Sequence, residues 1–195
     1  MRISKDKSQV VLTIVASMLL VTNLLLVFQN LDLRSKLKKF EPIEVEVGDV
    51  FEPFQAKSLN GNVTSINYDE NDSKKILLFF KTTCGYSQKQ MSYWKDLAKD
   101  IDSQKYKIIA ITIEDNTQTL KDYLRENKIE NWEVLSIKPE DAQKAKLLAT
   151  PVTVVLNSKG IVEKAWKGMW QEKEVADASD YFAIHFTKVK MEINQ

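Results

Sequence analysis

The stretch KILLFFKTTCGYSQKQM, residues 75–91, decides the fold. It opens with a continuous apolar run of strand length, which is typical of a β-strand covered on both faces. It then passes through Cys84, the single cysteine of the chain, into a polar segment with the pattern of a helix start. A second buried strand is predicted after that helix, at 106–113 (YKIIAITI). Two buried strands joined through a helix require a parallel βαβ unit.

The segments on either side extend this unit into a larger sheet. Strands at 54–59 and 62–66 flank Asn60-Gly61, a dipeptide that strongly indicates a hairpin turn. Downstream, a helix, a short strand and a short helix precede an antiparallel hairpin and a final helix. Their predicted bounds are 117–128, 132–137, 140–148, 152–156 with 161–166, and about 172–186. The sequence therefore predicts an α/β domain over residues 43–195, with a central mixed sheet and flanking helices.

Residues 10–28 (VVLTIVASMLLVTNLLLVF) form an apolar segment without a charge. As a helix it is about 28 Å long, close to the roughly 30 Å hydrocarbon core of a bilayer. The sequence Phe28-Gln29-Asn30-Leu31 is a poor signal-peptide cleavage site, so we expect an anchor that is not removed. A short flank at 1–9 precedes the anchor. Leucines at near-heptad spacing predict that the helix continues through a stalk or linker at 29–42, as far as Pro42.

Composition excludes several classes of function. The 28 basic and 27 acidic residues nearly balance, and only three of the basic residues are arginine, so no nucleic-acid partner is expected. With one cysteine, no disulfide can form within the chain. The one histidine, His185, is predicted to pack on the final helix, so the sequence supports neither a Cys–His dyad nor a metal cluster. No cofactor is expected.

Cys84 is the candidate nucleophile. A cysteine between a buried strand and the first turn of a helix faces unpaired backbone N–H groups and the positive end of the helix dipole. Such cysteines have pKa values of roughly 3.5–7.5, against about 8.5 for a free cysteine. The alternative, that Cys84 only packs, stays open, although the adjacent Gly85 and Tyr86 favour an accessible loop.

Ser87 stands where a second cysteine would make a redox pair. A hydroxyl cannot resolve a mixed disulfide, but it can donate a hydrogen bond to a thiolate. It can also serve at a helix start by accepting from backbone N–H groups. The chemistry left to such a site is monothiol exchange, in which an external thiol or the substrate's second cysteine releases the mixed disulfide.

The order of elements, with Cys84 at the first strand–helix junction and Thr150-Pro151 before the terminal hairpin, resembles the thioredoxin fold. It is more closely similar to the membrane-anchored, TlpA-like thiol–disulfide proteins of bacteria, which share the redoxin domain with peroxiredoxins. The resemblance implies a cis bond before Pro151, lying against the cysteine, and a preceding backbone that pairs with an extended substrate. It therefore implies a substrate-binding surface formed by Gly85, Tyr86, Thr150 and Pro151.

This chain departs from the family pattern around the cysteine. The family reads Trp-Cys-x-x-Cys, whereas here Thr83 precedes the cysteine and Ser87 replaces the second one. Leu78 occupies the position where thioredoxins hold a buried acid. The peroxiredoxin pattern requires proline and threonine seven and three residues before the cysteine, and those positions hold Leu77 and Lys81.

Together these features predict a thiol–disulfide oxidoreductase whose catalytic residues are Cys84 and Ser87. Its expected partners are protein thiols and disulfides, together with an external thiol reductant or a membrane electron donor. Basic residues flank the anchor almost equally, so charge does not orient it, and only the resemblance places residues 43–195 outside the cytoplasm. Two alternatives stay open: a degenerate domain that binds an extended segment beside Pro151 without turnover, and a one-cysteine peroxidase.

Overall fold

A computed structural model describes residues 4–39, 44–68, 73–115 and 118–187. The chain divides into two units, residues 1–42 and 43–195. The first unit contains one helix, α1 (Ser4–Lys39), whose segment Gln9–Arg34 has a mean hydropathy of 2.6 and is not buried. By length and composition this helix can cross a membrane. It continues past the apolar segment as predicted, and the expected end at Pro42 lies outside the described residues.

The second unit alternates strands and helices. The strands are β1 (Phe54–Ser58), β2 (Val63–Ile66), β3 (Lys74–Phe79), β4 (Tyr106–Thr112), β5 (Val134–Ser136), β6 (Val152–Leu156) and β7 (Val162–Lys167). The helices are α2 (Gly85–Asp100), α3 (Gln118–Glu126), α4 (Pro139–Lys144) and α5 (Glu172–Phe182).

The strands form one sheet in the order β2-β1-β5-β4-β3-β6-β7. Strand β4 pairs in parallel with β3 and β5, and the remaining pairs are antiparallel. This mixed sheet with flanking helices confirms the predicted thioredoxin-like α/β fold. The parallel β3–α2–β4 unit is the one that residues 75–91 predicted.

The burial of strand β3 explains why its sequence is apolar from Ile76 to Phe79. Ile76 and Leu78 enter the hydrophobic cluster on one face of the sheet, whereas Leu77 and Phe79 enter the cluster on the other face. All four are buried. Because successive side chains of a strand point to opposite faces, the central positions of a strand covered on both sides favour apolar residues, and the two lysines of β3 stand at its start.

The end of the chain differs from the prediction. Helix α5 ends at Phe182, where Ala183 adopts a left-handed conformation with φ 55°. The residues that follow alternate: Ile184 and Phe186 are buried, and His185 between them is exposed. His185 is therefore neither helical nor packed, and the prediction for it was wrong. Ile184 and Phe186, which suggested a longer helix, belong to a segment after the helix in which buried and exposed residues alternate.

Helix α4 is also shorter than predicted, ending at Lys144 instead of residue 148. Lys146 takes a left-handed conformation with φ 58°, which ends the helix, and the N–H of Leu147 returns to the carbonyl of Ala142 at 2.8 Å. Leu147 is thereby buried in the core, while the chain turns toward Thr150.

Candidate active site

Cys84 lies at the junction that the sequence predicted. It is the N-cap residue of α2, with extended backbone angles (φ −87°, ψ 112°), and its carbonyl accepts the first intrahelical bond from Gln88 at 3.1 Å. Its side chain is half-buried and forms no disulfide. The unpaired N–H groups of the first turn and the positive end of the helix dipole both favour a thiolate at this position.

The sheet brings Thr150 and Pro151 next to Cys84. Strand β6 runs antiparallel to β3 with Val152 opposite Phe79, so the residues before β6 and those after β3 meet at one edge. The Cys84 thiol donates a hydrogen bond to the Thr150 carbonyl oxygen, with Sγ and O 3.4 Å apart. The Thr150–Pro151 peptide bond is cis, as predicted.

The groups around the sulfur act on its protonation in opposite directions. Burial raises the pKa of the Cys84 thiol and is the largest single effect. Hydrogen bonds from the Thr150 hydroxyl and from the Ser87 amide and hydroxyl lower that pKa, with a smaller contribution from the Tyr86 amide. Together these donors outweigh burial, so the pKa of Cys84 lies below its ordinary value. Thr150 acts both ways, since its carbonyl accepts from the thiol and its hydroxyl donates to the thiolate.

Ser87 is fully buried one helical turn after Cys84. Its hydroxyl faces the sulfur and also accepts a hydrogen bond from the Lys81 N–H at 3.4 Å. Cys84, and not Ser87, occupies the N-cap position, so Ser87 serves the loop before the helix instead of the helix start. The predicted hydrogen bond from the Ser87 hydroxyl to the sulfur is consistent with this geometry.

Gly85 and Tyr86 lie on the solvent side of the site. Gly85 is exposed, with open space where a side chain would stand, and 63% of Tyr86 is exposed. Pro151 is buried and Thr150 is half-buried. A partner can therefore approach Cys84 from the side of Gly85 and Tyr86, and their role in substrate binding stays a prediction.

Glu114 lies at the site, although no role was predicted for it from the sequence. Its carboxylate accepts hydrogen bonds from the Thr82 N–H at 2.9 Å and the Thr82 hydroxyl at 2.8 Å, two residues before Cys84. The position of Glu114, two residues after the end of β4, was an available signal, because the carboxyl ends of adjacent parallel strands meet at one edge. Across the described residues, no group of three or more His, Cys, Asp or Glu could hold a metal ion.

Two known proteins are similar to part of this chain in sequence. Sporulation thiol-disulfide oxidoreductase A of Bacillus subtilis is 26% identical over 114 residues, which cover 57% of this chain and 68% of the relative. A thioredoxin-like protein of Haemophilus influenzae is 28% identical over 114 residues, covering 58% of this chain and 65% of the relative.

Among solved structures, the thioredoxin domain of a thiol-disulfide oxidoreductase from Bacteroides vulgatus superposes with a TM-score of 0.56 at 13% identity. That superposition covers 71% of this chain and 99% of the other, and it shows a common fold. The sequence model of the AhpC/TSA family matches residues 47–182, which include β1 through α5 and the Cys84 site. The chain therefore belongs to the AhpC/TSA family.

Proposed function

We propose that this protein is a membrane-anchored thiol–disulfide oxidoreductase that acts on protein thiols and disulfides through Cys84 alone. The observation that carries the proposal is the setting of Cys84: a half-buried thiol at a helix N-cap, with its pKa lowered, 3.4 Å from the Thr150 carbonyl. The names of the relatives from Bacillus subtilis and Bacteroides vulgatus support the same reaction class.

The reaction is a pair of thiol–disulfide exchanges. The Cys84 thiolate attacks one sulfur of a substrate disulfide, forming a mixed disulfide and releasing the other substrate sulfur as a thiolate. A second thiolate then attacks the substrate sulfur of the mixed disulfide and regenerates the Cys84 thiolate. If the second thiolate is a further cysteine of the substrate, other than the two of the original disulfide, the substrate disulfide is rearranged without net electron transfer. Net reduction of the substrate takes two electrons from external thiols, which leave as a disulfide.

Ser87 assists the attack by Cys84 but cannot complete the reaction. Its hydroxyl faces the Cys84 sulfur and lowers the pKa of that thiol, but it cannot displace a bound substrate. An extended substrate segment would lie beside Thr150 and Pro151, with its disulfide approaching over Gly85 and Tyr86. The backbone at this edge then aligns the substrate while Cys84 performs the exchange.

The location belongs to the same proposal. Helix α1 anchors the protein by a single span, with residues 1–9 in the cytoplasm and the second unit on the extracytoplasmic side. Disulfides persist in that compartment, so their exchange is useful there. The releasing thiol is an external low-molecular-weight thiol or a dithiol donor in the membrane.

The proposal is tested by trapping partners in cells that produce the full chain. Alkylation of free thiols at lysis should reveal wild-type protein in higher-mass adducts that disappear on reduction. Cys84→Ser, which keeps the size of the side chain and removes the sulfur, should give none. If the wild type forms no reducible adducts and both proteins retain the same partners without a covalent bond, the protein is a binding module and the exchange proposal is wrong.

A further inference from the structure

The carboxylate of Glu114 holds the loop that carries Cys84. Besides the two hydrogen bonds from Thr82, at 2.9 and 2.8 Å, it accepts one from the Thr112 hydroxyl at 3.3 Å. Thr82 is buried, with 6% of its surface exposed. A carboxylate that accepts from both the amide and the hydroxyl of one buried residue forms a strong, directional contact. Glu114 therefore ties the end of β4 to the segment between β3 and α2.

Helix α2 holds the same loop from the other side. The Gln88 side-chain amide donates to the Thr82 carbonyl at 2.9 Å, and the Ser87 hydroxyl accepts from the Lys81 N–H at 3.4 Å. The N–H, hydroxyl and carbonyl of Thr82 are thus all engaged. The N–H of Cys84 itself bonds back to the Lys81 carbonyl at 3.2 Å. The position of the sulfur consequently depends on where Thr82 is held.

We propose that Glu114 is a positioning residue for the exchange reaction: by holding Thr82, it keeps the Cys84 sulfur against Thr150 and the first turn of α2. This inference rests on the proposed function, because it concerns the reactivity of the same thiol. Glu114 acts through Thr82 and does not itself contact the sulfur or a substrate.

Removing Glu114 should change the pKa of Cys84 in opposite directions, depending on whether Glu114 acts through its charge or by positioning the sulfur. Burial raises the pKa of Tyr123 to about 12, with smaller contributions from the negative charges of Glu114 and Cys84, so both charges lie near that phenol. If the charge of Glu114 were its main influence, its loss would favour the Cys84 thiolate. If Glu114 positions the sulfur, its loss moves Cys84 away from the hydrogen-bond donors that lower its pKa, and the thiolate becomes less stable.

The experiment compares Glu114→Ala with Asp115→Asn in the full-length protein in detergent. Asp115 is the adjacent acidic residue and is exposed, so it controls for the loss of a charge from the same loop. The readout is the rate of Cys84 alkylation by iodoacetamide as a function of pH, which needs no substrate. We expect Glu114→Ala to slow alkylation about tenfold at neutral pH, equivalent to roughly one unit in pKa. Asp115→Asn should stay within about twofold of the wild type.

A second variant keeps the charge and removes one contact. Thr82→Val loses the hydroxyl bond to Glu114 and should slow alkylation roughly threefold, about half a unit in pKa. If Glu114→Ala shows no cooperative thermal transition, and is therefore not folded, the alkylation rate of Thr82→Val alone tests the inference. Alkylation that is unchanged or faster in a folded Glu114→Ala variant, or unchanged in Thr82→Val, overturns the inference. A wild-type Cys84 no more reactive than free cysteine would instead contradict the proposed function.

Discussion

Replacing Ser87 with cysteine should convert the site from monothiol to dithiol chemistry. Residue 87 lies one helical turn after Cys84, and its hydroxyl already faces the sulfur. A disulfide requires Cα atoms roughly 4.4–6.8 Å apart, a range that includes residues three apart on a helix. The Ser87→Cys variant should therefore form an 84–87 disulfide under mild oxidant.

The surroundings of Ser87 determine how much the Ser87→Cys substitution changes the stability of the reduced and oxidised protein. In the reduced variant, the larger thiol must fit where the serine is fully buried, and the weak bond from the Lys81 N–H, 3.4 Å long, is lost. Together these changes cost about 1–2 kcal/mol. Closing the four-residue loop in the oxidised variant contributes about 2 kcal/mol of chain entropy at 25 °C. The oxidised variant should thus melt about 4–8 °C above the reduced one.

The assay is the reduction of insulin with dithiothreitol as electron source. The wild type should be slow, because an external thiol must release each mixed disulfide, whereas Ser87→Cys should be faster because the second thiol releases it within the protein. Ser92→Cys is the matched control, since residue 92 is on the same helix, about 12 Å further along, beyond the reach of Cys84. If Ser87→Cys forms no 84–87 disulfide and gains no activity, the site is not built for exchange, and the binding-module alternative replaces it.

Three further predictions concern topology, protonation and packing. Protease added to intact spheroplasts should digest the second unit, and full protection would reverse the proposed orientation. The pKa of Cys84 is lowered in the folded state, so the stability that wild type gains over Cys84→Ser should be complete above the ordinary pKa of a free cysteine. It should be lost as the pH falls through the folded pKa, and chemical unfolding at several pH values measures this. Thr153→Val leaves the buried Trp94 Nε1–H without its acceptor at 2.9 Å, and should lower the free energy of unfolding by about 1–3 kcal/mol in urea titrations, whereas the exposed Thr64→Val should change it little.

The sequence predicted most of the fold because its signals are local. The apolar run of β3, the Asn60-Gly61 turn and the proline before β6 each specify a backbone conformation within a few residues. Their order along the chain then allows few topologies, since parallel strands need a crossover helix and antiparallel strands a short turn. The placement of Pro151 against Cys84 came instead from the resemblance to the thioredoxin fold, and the antiparallel pairing of β3 with β6 accounts for it.

The role of Glu114 and the end of α5 could not be predicted, because both depend on contacts between residues far apart in the sequence. Glu114 and Thr82 are 32 residues apart, and the position of Glu114 just beyond β4 indicates only that it lies near the same edge of the sheet, not that it contacts Thr82. The end of α5 was misjudged because Phe182 and Phe186, four residues apart, would share one face of a longer helix, whereas the burial of Ile184 between them does not fit that face. Tertiary contacts decided where the helix ends: Phe182 packs against Tyr106 and Phe186 against Trp170.

The hydrogen bonds around Cys84 favour its release from a mixed disulfide, a step that a second cysteine at position 87 would otherwise perform. Donors that lower the pKa of Cys84 increase its thiolate fraction, which favours attack on a substrate disulfide. The same low pKa makes Cys84 a better leaving group, which favours its release from the mixed disulfide by an external thiol. Its intrinsic nucleophilicity falls as its pKa falls, so the first step gains less than the second. Under the proposed monothiol reaction, the supply and access of the releasing thiol would therefore limit the rate, and the exposure of Gly85 and Tyr86 leaves that access open.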